Sequence, residues 1–321
     1  MTTAVLYTVD TELSPGLHRR GVSPDENMRI GVMGQGSDGE WGIAHQIRKL
    51  NEHRLKGVFF VEALCASVVG NDILKRVVDP ILAGGHEVQL HIHTEWLRWA
   101  QTNIADGTQG ENIADFDLPT QARLLAFGTE ALQRAGAPAP IAFRAGNYGA
   151  NDNTLRALAR VGIKYDASHN QAYLGDTCRL SGPGPLYAPR EIEGVTEVPI
   201  TFFEDYPGHA RPLQLCAVSA GEMRWALMES IQQERPTAVV VSHSFELLNA
   251  TRTRGNPLLV RRFDAFCDLM SEMKAGARSS GFADLSLEDA PHAHATLKSN
   301  SLRTTRRVVE QVFGRLAYDR G

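Results

Sequence analysis

The chain has 321 residues, a net charge of −4 and an isoelectric point near 6.3, with acidic and basic residues interspersed. This length suits one large α/β barrel or two ordinary domains, and the charge balance argues against a nucleic-acid partner. The four cysteines are far apart and form no Cys-x-x-Cys, so we expect free thiols rather than disulfides or a thiolate metal site.

Alternating strand and helix patterns run through the first ninety residues. Residues 3–9 predict a strand, 41–53 an amphipathic helix, 56–61 a strand buried on both faces, and 72–83 a second helix. Residues 14–39 are rich in Gly, Pro, Asp and Ser and predict a long loop over the strand ends. Consecutive strand-helix-strand units imply right-handed crossovers and a parallel sheet.

The next predicted strand carries two histidines. Val88, Leu90 and Ile92 alternate with polar residues, so His91 and His93 should leave the strand on the same face. Glu95 follows two residues later. A solitary histidine is usually structural, whereas imidazole nitrogens and a carboxylate oxygen that converge on one volume can bind a divalent metal.

The second half of the chain continues the alternation. Helices are predicted at residues 119–135, 151–161, 220–233 and 257–275, and strands at residues 141–143, 163–168, 237–243 and 282–285. Residues 171–212 predict loops that shape a substrate groove, with strand pieces at 186–187 and 195–200.

Six polar residues lie at or just after the C-terminal ends of these predicted strands. They are Asp10, Glu12, His91, His93, Arg144 and His243. Barrels of parallel strands assemble their active sites from separate loops at that end. The set therefore predicts one site, although an acidic residue just past a strand is, taken alone, more often a helix cap.

The composition changes after residue 290. We expect residues 1–290 to form one barrel domain, followed by a linker and, at residues 302–318, a basic helix with an apolar stripe. The stripe consists of Val308, Val309, Val312, Phe313 and Leu316. Packing of this stripe on the barrel, or on a second subunit in a homo-oligomer, is favoured over a membrane.

No apolar run has the length of a membrane span, and the apolar stretch at residues 4–7 is too short for the core of a signal peptide. No basic region precedes that stretch either. The sequence therefore predicts a cytoplasmic protein with no membrane partner.

In order along the chain, these motifs resemble those of the polysaccharide deacetylase family, also called the NodB-homology or carbohydrate esterase family 4 group. Residues 8–12 are similar to its strand-end Thr-Phe-Asp-Asp motif, 57–61 to its second strand, 85–91 to its Gly-His-Glu entry, 143–146 to its arginine motif, 242–243 to its Leu-His motif, and 282–287 to its final strand. The resemblance spans residues 3–289. It implies a distorted, incomplete (β/α) barrel and metal-dependent hydrolysis of an N-acetyl amide on a sugar.

The resemblance also implies roles for the polar residues. Asp10 would be the base, Arg144 would hold Asp10 ionised, and His243 would protonate the leaving amine. The implied cofactor is a divalent metal, with zinc favoured, bound by His91 together with ligands drawn from Glu12, His93 and Glu95. Two positions depart from the family pattern: Thr11 stands where the family has a second Asp, and Glu95 where it has a second His.

Alternative functions stay open at this point. The departures at Thr11 and Glu95 also suit a non-catalytic or metal-free member that binds a carbohydrate. His91-Ile92-His93 is similar to the His-x-His motif of amidohydrolase and PHP phosphoesterase barrels, although those carry it on their first strand and need further histidines. The predicted substrate is a carbohydrate or another small amide.

Overall fold

The strand at the start of the chain lies inside the main sheet. The computed structural model of the protein describes residues 2–182, 184–273, 276–287 and 294–318. The strands are β1 (Thr3–Thr11), β2 (Gln35–Gly36), β3 (Gly39–Glu40), β4 (Gly57–Glu62), β5 (Glu87–Ile92), β6 (Ala142–Ala145), β7 (Tyr165–Asp166), β8 (Arg190–Ile192), β9 (Val195–Glu197), β10 (Phe202–Tyr206), β11 (His209–Pro212), β12 (Thr237–His243) and β13 (Ala277–Ser279). The α-helices are α1 (Pro15–Arg19), α2 (Pro24–Gly31), α3 (Ile43–Glu52), α4 (Ala66–Val69), α5 (Asn71–Ala83), α6 (Leu118–Arg134), α7 (Asp152–Val161), α8 (Ala220–Gln232), α9 (Pro257–Glu272) and α10 (Ser301–Ala317).

The main sheet has nine strands in the order β12-β1-β4-β5-β6-β7-β9-β8, and β13 pairs with the start of β1. Every pairing is parallel except that of β8 with β9. The sheet is curled and helices surround it, so the predicted distorted, incomplete (β/α) barrel is confirmed. Its parallel register brings the carboxyl ends of β1, β5, β6 and β12 to the same edge.

Alternation along the strands divides apolar side chains into two cores. Tyr7 and Val9 of β1 face outward under the helices, where they join the larger hydrophobic cluster. Leu6 of β1 and Phe60 of β4 face the barrel interior and belong to a smaller cluster. Thr8 and Asp10 share the parity of Leu6, so the polar end of β1 also faces the interior. The same rule places the candidate site inside the mouth of the barrel.

The prediction of a long loop at residues 14–39 was wrong, because the segment contains α1, α2 and the β2–β3 hairpin. Each of the two helices begins at a Ser-Pro pair. Ser14 Oγ accepts a hydrogen bond from Leu17 N at 3.2 Å, and Ser23 Oγ accepts one from Glu26 N at 3.2 Å. Serine at the N-cap and proline at the first helical position are helix-start signals that outweigh the loop-like composition.

The prediction of a closing strand at residues 282–285 was also wrong; the closing strand is β13. The carboxylate of Glu87 accepts hydrogen bonds from Phe282 N at 2.9 Å and Ala283 N at 3.2 Å, which removes those amides from strand pairing. The Phe282 ring instead fills the barrel interior against Phe60, with ring centroids 5.7 Å apart. Its apolar character therefore reflects core packing rather than a strand.

The strand piece predicted at residues 186–187 is not a strand either, and the region contributes β8, β9 and the β10–β11 hairpin. The predicted boundary at residue 290 lies outside the described residues. Residues 294–300, predicted as part of a flexible linker, run along β10, where Glu204 N donates to Leu297 O and Ser299 N donates to Glu204 O, both at 2.8 Å. Leu297 is buried, which fixes this segment ahead of α10. Among the described residues, no helix combines the length and apolarity needed to cross a membrane.

Candidate active site

The first part of the site is a buried ion pair at the end of β1. Arg144 on β6 donates from Nη1 to Asp10 Oδ1 at 2.6 Å, and both residues are buried. Its other groups are also engaged: Nη2 donates to Thr8 Oγ1 at 3.0 Å and Nε to Ala167 O at 3.1 Å. The fork is thus divided between Asp10 and Thr8. Arg144 is held in one orientation, which suits a residue that positions the Asp10 carboxylate.

The charge of this pair is set by competition between burial and attraction. Burial disfavours the ionised form of Asp10, but the Arg144 guanidinium, followed by His91 and His243, holds the pKa of Asp10 below its usual range. Asp10 is therefore an ionised carboxylate at neutral pH. Because Arg144 contacts Oδ1, the second oxygen is left to accept a proton.

The second part of the site is a three-residue group that meets the requirements of a metal centre. Ligand atoms of Glu12, His91 and His93 all lie within 4.8 Å of one another. The backbone carbonyl of Arg144 orients the His91 ring, since it lies 2.7 Å from His91 Nδ1. The other ring nitrogen, Nε2, faces the group and lies 3.7 Å from Glu12 Oε2. A backbone partner on one ring nitrogen leaves the other as the ligand, as in most metal-binding histidines.

The polar atoms of these three side chains are crowded in a way that a bound metal would explain. Glu12 Oε2 is 2.6 Å from His93 Nε2, yet this buried oxygen has no hydrogen bond of acceptable geometry. Two imidazole nitrogens and one carboxylate are a donor set that zinc uses in catalytic sites. The residues present therefore fit a divalent metal. Of the described residues, only these three form such a group.

The charges of the Glu12 carboxylate and the His93 imidazole compensate each other. Burial opposes ionisation of Glu12, but His93 and His91 hold its pKa well below the usual range. Burial likewise opposes protonation of His93, but Glu12, followed by Glu95, raises its pKa well above the usual range. The two directions agree and describe one carboxylate–imidazolium pair.

Glu95, predicted as a candidate ligand, lies outside the three-residue group. The strand ends at Ile92 and the chain enters a 3-10 turn at Thr94–Arg98, so the two-residue alternation stops after His93. Glu95 Oε2 consequently lies 3.1 Å from His93 Nδ1, behind the imidazole. This geometry favours His93 as the ligand and Glu95 as the residue that orients it.

The third part of the site is a histidine with a carboxylate behind it. His243 ends β12, and its Nδ1 lies 2.6 Å from Glu246 Oε2. Burial lowers the pKa of His243, but the hydrogen bond and charge of Glu246, together with Asp10 and Glu12, raise it to about 9. Glu246 was not predicted from the sequence. Its signal was an acidic residue three positions after a strand-end histidine, within reach across one turn.

These parts surround one cavity of about 560 Å³. It is lined by Asp10, Glu12, His91, His93, Glu95 and His243, whereas Arg144 lies beneath Asp10 and outside the lining. Two further lining residues, Tyr148 and Tyr173, were missed by sequence reasoning; their rings stack with centroids 5.5 Å apart. Tyr148 has φ +56°, a left-handed conformation rare for an aromatic residue, and such strain concentrates at functional sites.

Comparison with known proteins identifies the fold. No family model and no curated protein matches the sequence. A candidate polysaccharide deacetylase from Mycobacterium smegmatis matches in structure with TM-score 0.58 and 18% identity, over 93% of this chain and 95% of that chain. A family 4 carbohydrate esterase from Streptomyces lividans, in complex with acetate, matches with TM-score 0.43 and 10% identity, over 87% and 92%. A family 4 pseudoenzyme from Bacillus anthracis matches with TM-score 0.42 and 10% identity, over 86% and 63%. The first of these matches confirms the resemblance seen in the sequence at the level of the fold.

Proposed function

From the shared polysaccharide deacetylase fold, we propose that this chain is a metal-dependent hydrolase that removes the acetyl group from an N-acetylated sugar. One observation carries the proposal. The Glu12–His91–His93 group, the Asp10–Arg144 pair and the His243–Glu246 pair converge on one cavity at the carboxyl end of the barrel. Amide hydrolysis needs an activated carbonyl, a base and an acid, and each part suits one of these needs.

Glu12, His91 and His93 would hold the metal, with zinc favoured by the donor set. A divalent metal held by these residues would supply a Lewis acid to polarise the amide carbonyl and lower the pKa of water beside it. His91 and His93 keep their ring orientations through Arg144 O and the Glu95 carboxylate, respectively. These contacts would keep both imidazoles directed at the same point.

Asp10 would be the general base. Its second carboxylate oxygen would take the proton of the attacking water, while Arg144 keeps the first oxygen occupied and the group ionised. Burial of the pair excludes competing water and strengthens the charge interaction. Arg144 is therefore a positioning residue in this reaction, not a catalytic one.

His243 would be the general acid. Since Nδ1 faces Glu246, the remaining ring nitrogen is the one available to a substrate in the cavity. The raised pKa of about 9 keeps His243 protonated at neutral pH, so it can donate a proton to the leaving nitrogen. Without that proton, the nitrogen would have to leave as an amide anion, which is a poor leaving group.

The cavities suggest a substrate longer than one sugar. A second cavity of about 690 Å³ shares Tyr173 and Gln214 with the active-site cavity. His209 and Arg211 also line it, and no Asp or Glu does so among the described residues. An exposed aromatic ring beside planar polar groups is a surface on which a sugar can stack and form hydrogen bonds. We therefore favour an oligosaccharide over a small amide.

A carbohydrate-binding role without catalysis is the second candidate. Thr11 offers no ligand to the cavity, because its hydroxyl donates to Val9 O at 3.1 Å. The Glu12–His93 pair is also compensated without a metal. In that case, the protein would bind a sugar in the same cavity but would release no acetate.

Metal content and acetate release together separate the two candidates. We expect the purified protein to hold about one zinc or other divalent ion per chain and to release acetate from N-acetylated chito-oligosaccharides, increasingly with chain length. His91→Ala should lose the metal and the activity, whereas His53→Ala, a variant of a histidine that bonds Ser271 away from the site, should keep both. A wild-type protein that binds these sugars but neither retains metal nor releases acetate would establish the binding role instead.

A further inference from the structure

Helix α10 is fixed on the protein by its polar face. Arg307 is buried and donates from Nη2 to Asp205 Oδ2 at 2.6 Å and from Nε to Glu222 Oε1 at 3.1 Å. Gly314 is buried against Leu258, where an added Cβ would lie 2.9 Å from Leu258 Cδ2. A buried guanidinium between two buried carboxylates permits one orientation of the helix. The opposite face of α10 must therefore point away from the protein.

That opposite face is the apolar stripe. Among the described residues there are nine exposed large hydrophobic side chains, and six of them are on α10. On α10 the most exposed are Leu302 at 77%, Val309 at 61%, Phe313 at 57% and Leu316 at 53%. The sequence predicted that the stripe would pack on the barrel or on a second subunit. The first of these alternatives was wrong, since the described part of the barrel contacts the polar face of α10 that carries Arg307.

Arginines flank the stripe on both sides. At 100° per residue, Arg306 lies next to Phe313 at one border, and Arg315 lies next to Val308 at the other. Both arginines are exposed. The helix contains four arginines and one acidic residue, Glu310, which is half-buried towards Arg262. The exposed surface is thus apolar in the middle and basic along its edges.

We propose that α10 docks this protein on an anionic lipid surface. A basic amphipathic helix with large apolar side chains lies in the membrane interface, with its apolar face among the acyl chains and its arginines among the headgroups. Charge complementarity selects this occupant over a second copy, because two stripes brought together would also oppose their arginine borders. The inference is independent of the proposed deacetylase activity.

Vesicle flotation with the full chain tests the proposal. We expect binding to phosphatidylcholine vesicles that contain phosphatidylglycerol, and weak binding to phosphatidylcholine alone. Phe313→Ser with Leu316→Ser should lower the affinity about a hundredfold or more, since each side chain contributes about a tenfold change or more when buried. Phe313→Leu preserves the apolar stripe and should bind like the wild type.

The charged border is tested separately. Arg306→Gln with Arg315→Gln should weaken binding about tenfold, and added salt should abolish most of this difference. Arg134→Gln is the matched control, because Arg134 on α6 pairs with Glu130 at 3.4 Å much as Arg306 pairs with Glu310 at 3.3 Å. Circular dichroism should be the same for all variants. Absence of anionic-vesicle binding, binding unaffected by the serine variant, or a dimer that the serine variant dissociates would overturn the proposal.

Discussion

Two buried carboxylate sites in the same sheet are stabilised in opposite ways. Asp10 on β1 is paired with Arg144 at 2.6 Å, and its pKa is held below the usual range. Asp166 on β7 and Glu197 on β9 are opposite each other in the register and fully buried. No arginine or lysine pairs with either of them among the described residues. One site therefore carries a charge that a cation compensates, whereas the other contains two carboxyl groups without a cationic partner among the described residues.

The consequence for the second site is a retained proton. Burial, followed by the charge of Asp166, raises the pKa of Glu197 well above its usual range. Asp166 is meanwhile fixed by Ser168 Oγ, which donates to Oδ1 at 2.7 Å, and Glu197 Oε1 accepts from His169 N at 3.0 Å. From these directions we infer that the two groups share a proton, which would link β7 to β9. Similar burial thus gives an ionised base at one place and a proton-retaining structural link at the other, because only the first has a cation.

Removing the cation should have the largest effect. Arg144→Met keeps much of the side-chain volume but leaves the buried Asp10 with only the imidazoles of His91 and His243 to compensate its charge. We expect the free energy of unfolding at neutral pH to fall by about 3–5 kcal/mol, measured by urea denaturation. Arg134→Met, at an exposed pair, should cost about 1 kcal/mol or less.

A second substitution checks the cause. Asp10→Asn combined with Arg144→Met removes the buried charge and should recover part of the lost stability, so that the two changes are not additive. Additive losses would mean that the packing of Arg144 against the Phe60 ring, 4.3 Å away, matters more than its charge.

The two carboxylate sites also differ in how well the sequence predicts them. Asp10, His91, Arg144 and His243 were found because residue parity and the carboxyl ends of parallel strands are local properties of the sequence. The Asp166–Glu197 pair was not found, because it depends on the register of β7 with β9. Residue 197 lies in a region of irregular composition, and no local pattern identifies its neighbour on another strand.

The same reason explains the errors in the fold. Buried strands such as β12 and long helices such as α8 were predicted within a few residues, since their periodicity is strong. The segment at 282–285 was mistaken for a strand because the Glu87 carboxylate, almost two hundred residues earlier, captures its amides. The stripe on α10 was identified correctly. Its outward direction was not, because that depends on Asp205 and Glu222.

The His243–Glu246 pair sharpens the comparison, since here a carboxylate is compensated by an imidazole. His243 has a pKa of about 9, so kcat/KM should fall as pH rises through that value. Glu246→Gln retains a hydrogen-bonding side chain without the charge. In this variant the fall in kcat/KM should occur at a pH about 1–3 units lower. Nuclear magnetic resonance titration of the His243 ring measures the same shift without requiring activity. An unchanged titration in the variant would show that Glu246 does not set the pKa.

The smallest effect is expected at the proton-sharing pair, and it appears mainly as a change in pH dependence. A carboxyl group whose pKa is raised in the folded state contributes stability below its unfolded pKa of about 4.3, and this contribution is lost as pH rises towards the folded value. Asp10 has the opposite sign, because a lowered pKa contributes stability above the unfolded value. Glu197→Gln mimics the protonated group. The variant should differ from the wild type by about 1 kcal/mol or less in mild acid and lose less stability towards alkaline pH.

Urea denaturation across this pH range measures the difference. Glu191→Gln, at an exposed position on the neighbouring strand β8, should leave the pH dependence unchanged. Parallel curves for wild type and Glu197→Gln would mean that the pair releases its proton at the same pH in the folded and unfolded states. The contrast between a compensated and an uncompensated carboxylate would then fail, because burial alone would not have shifted the equilibrium.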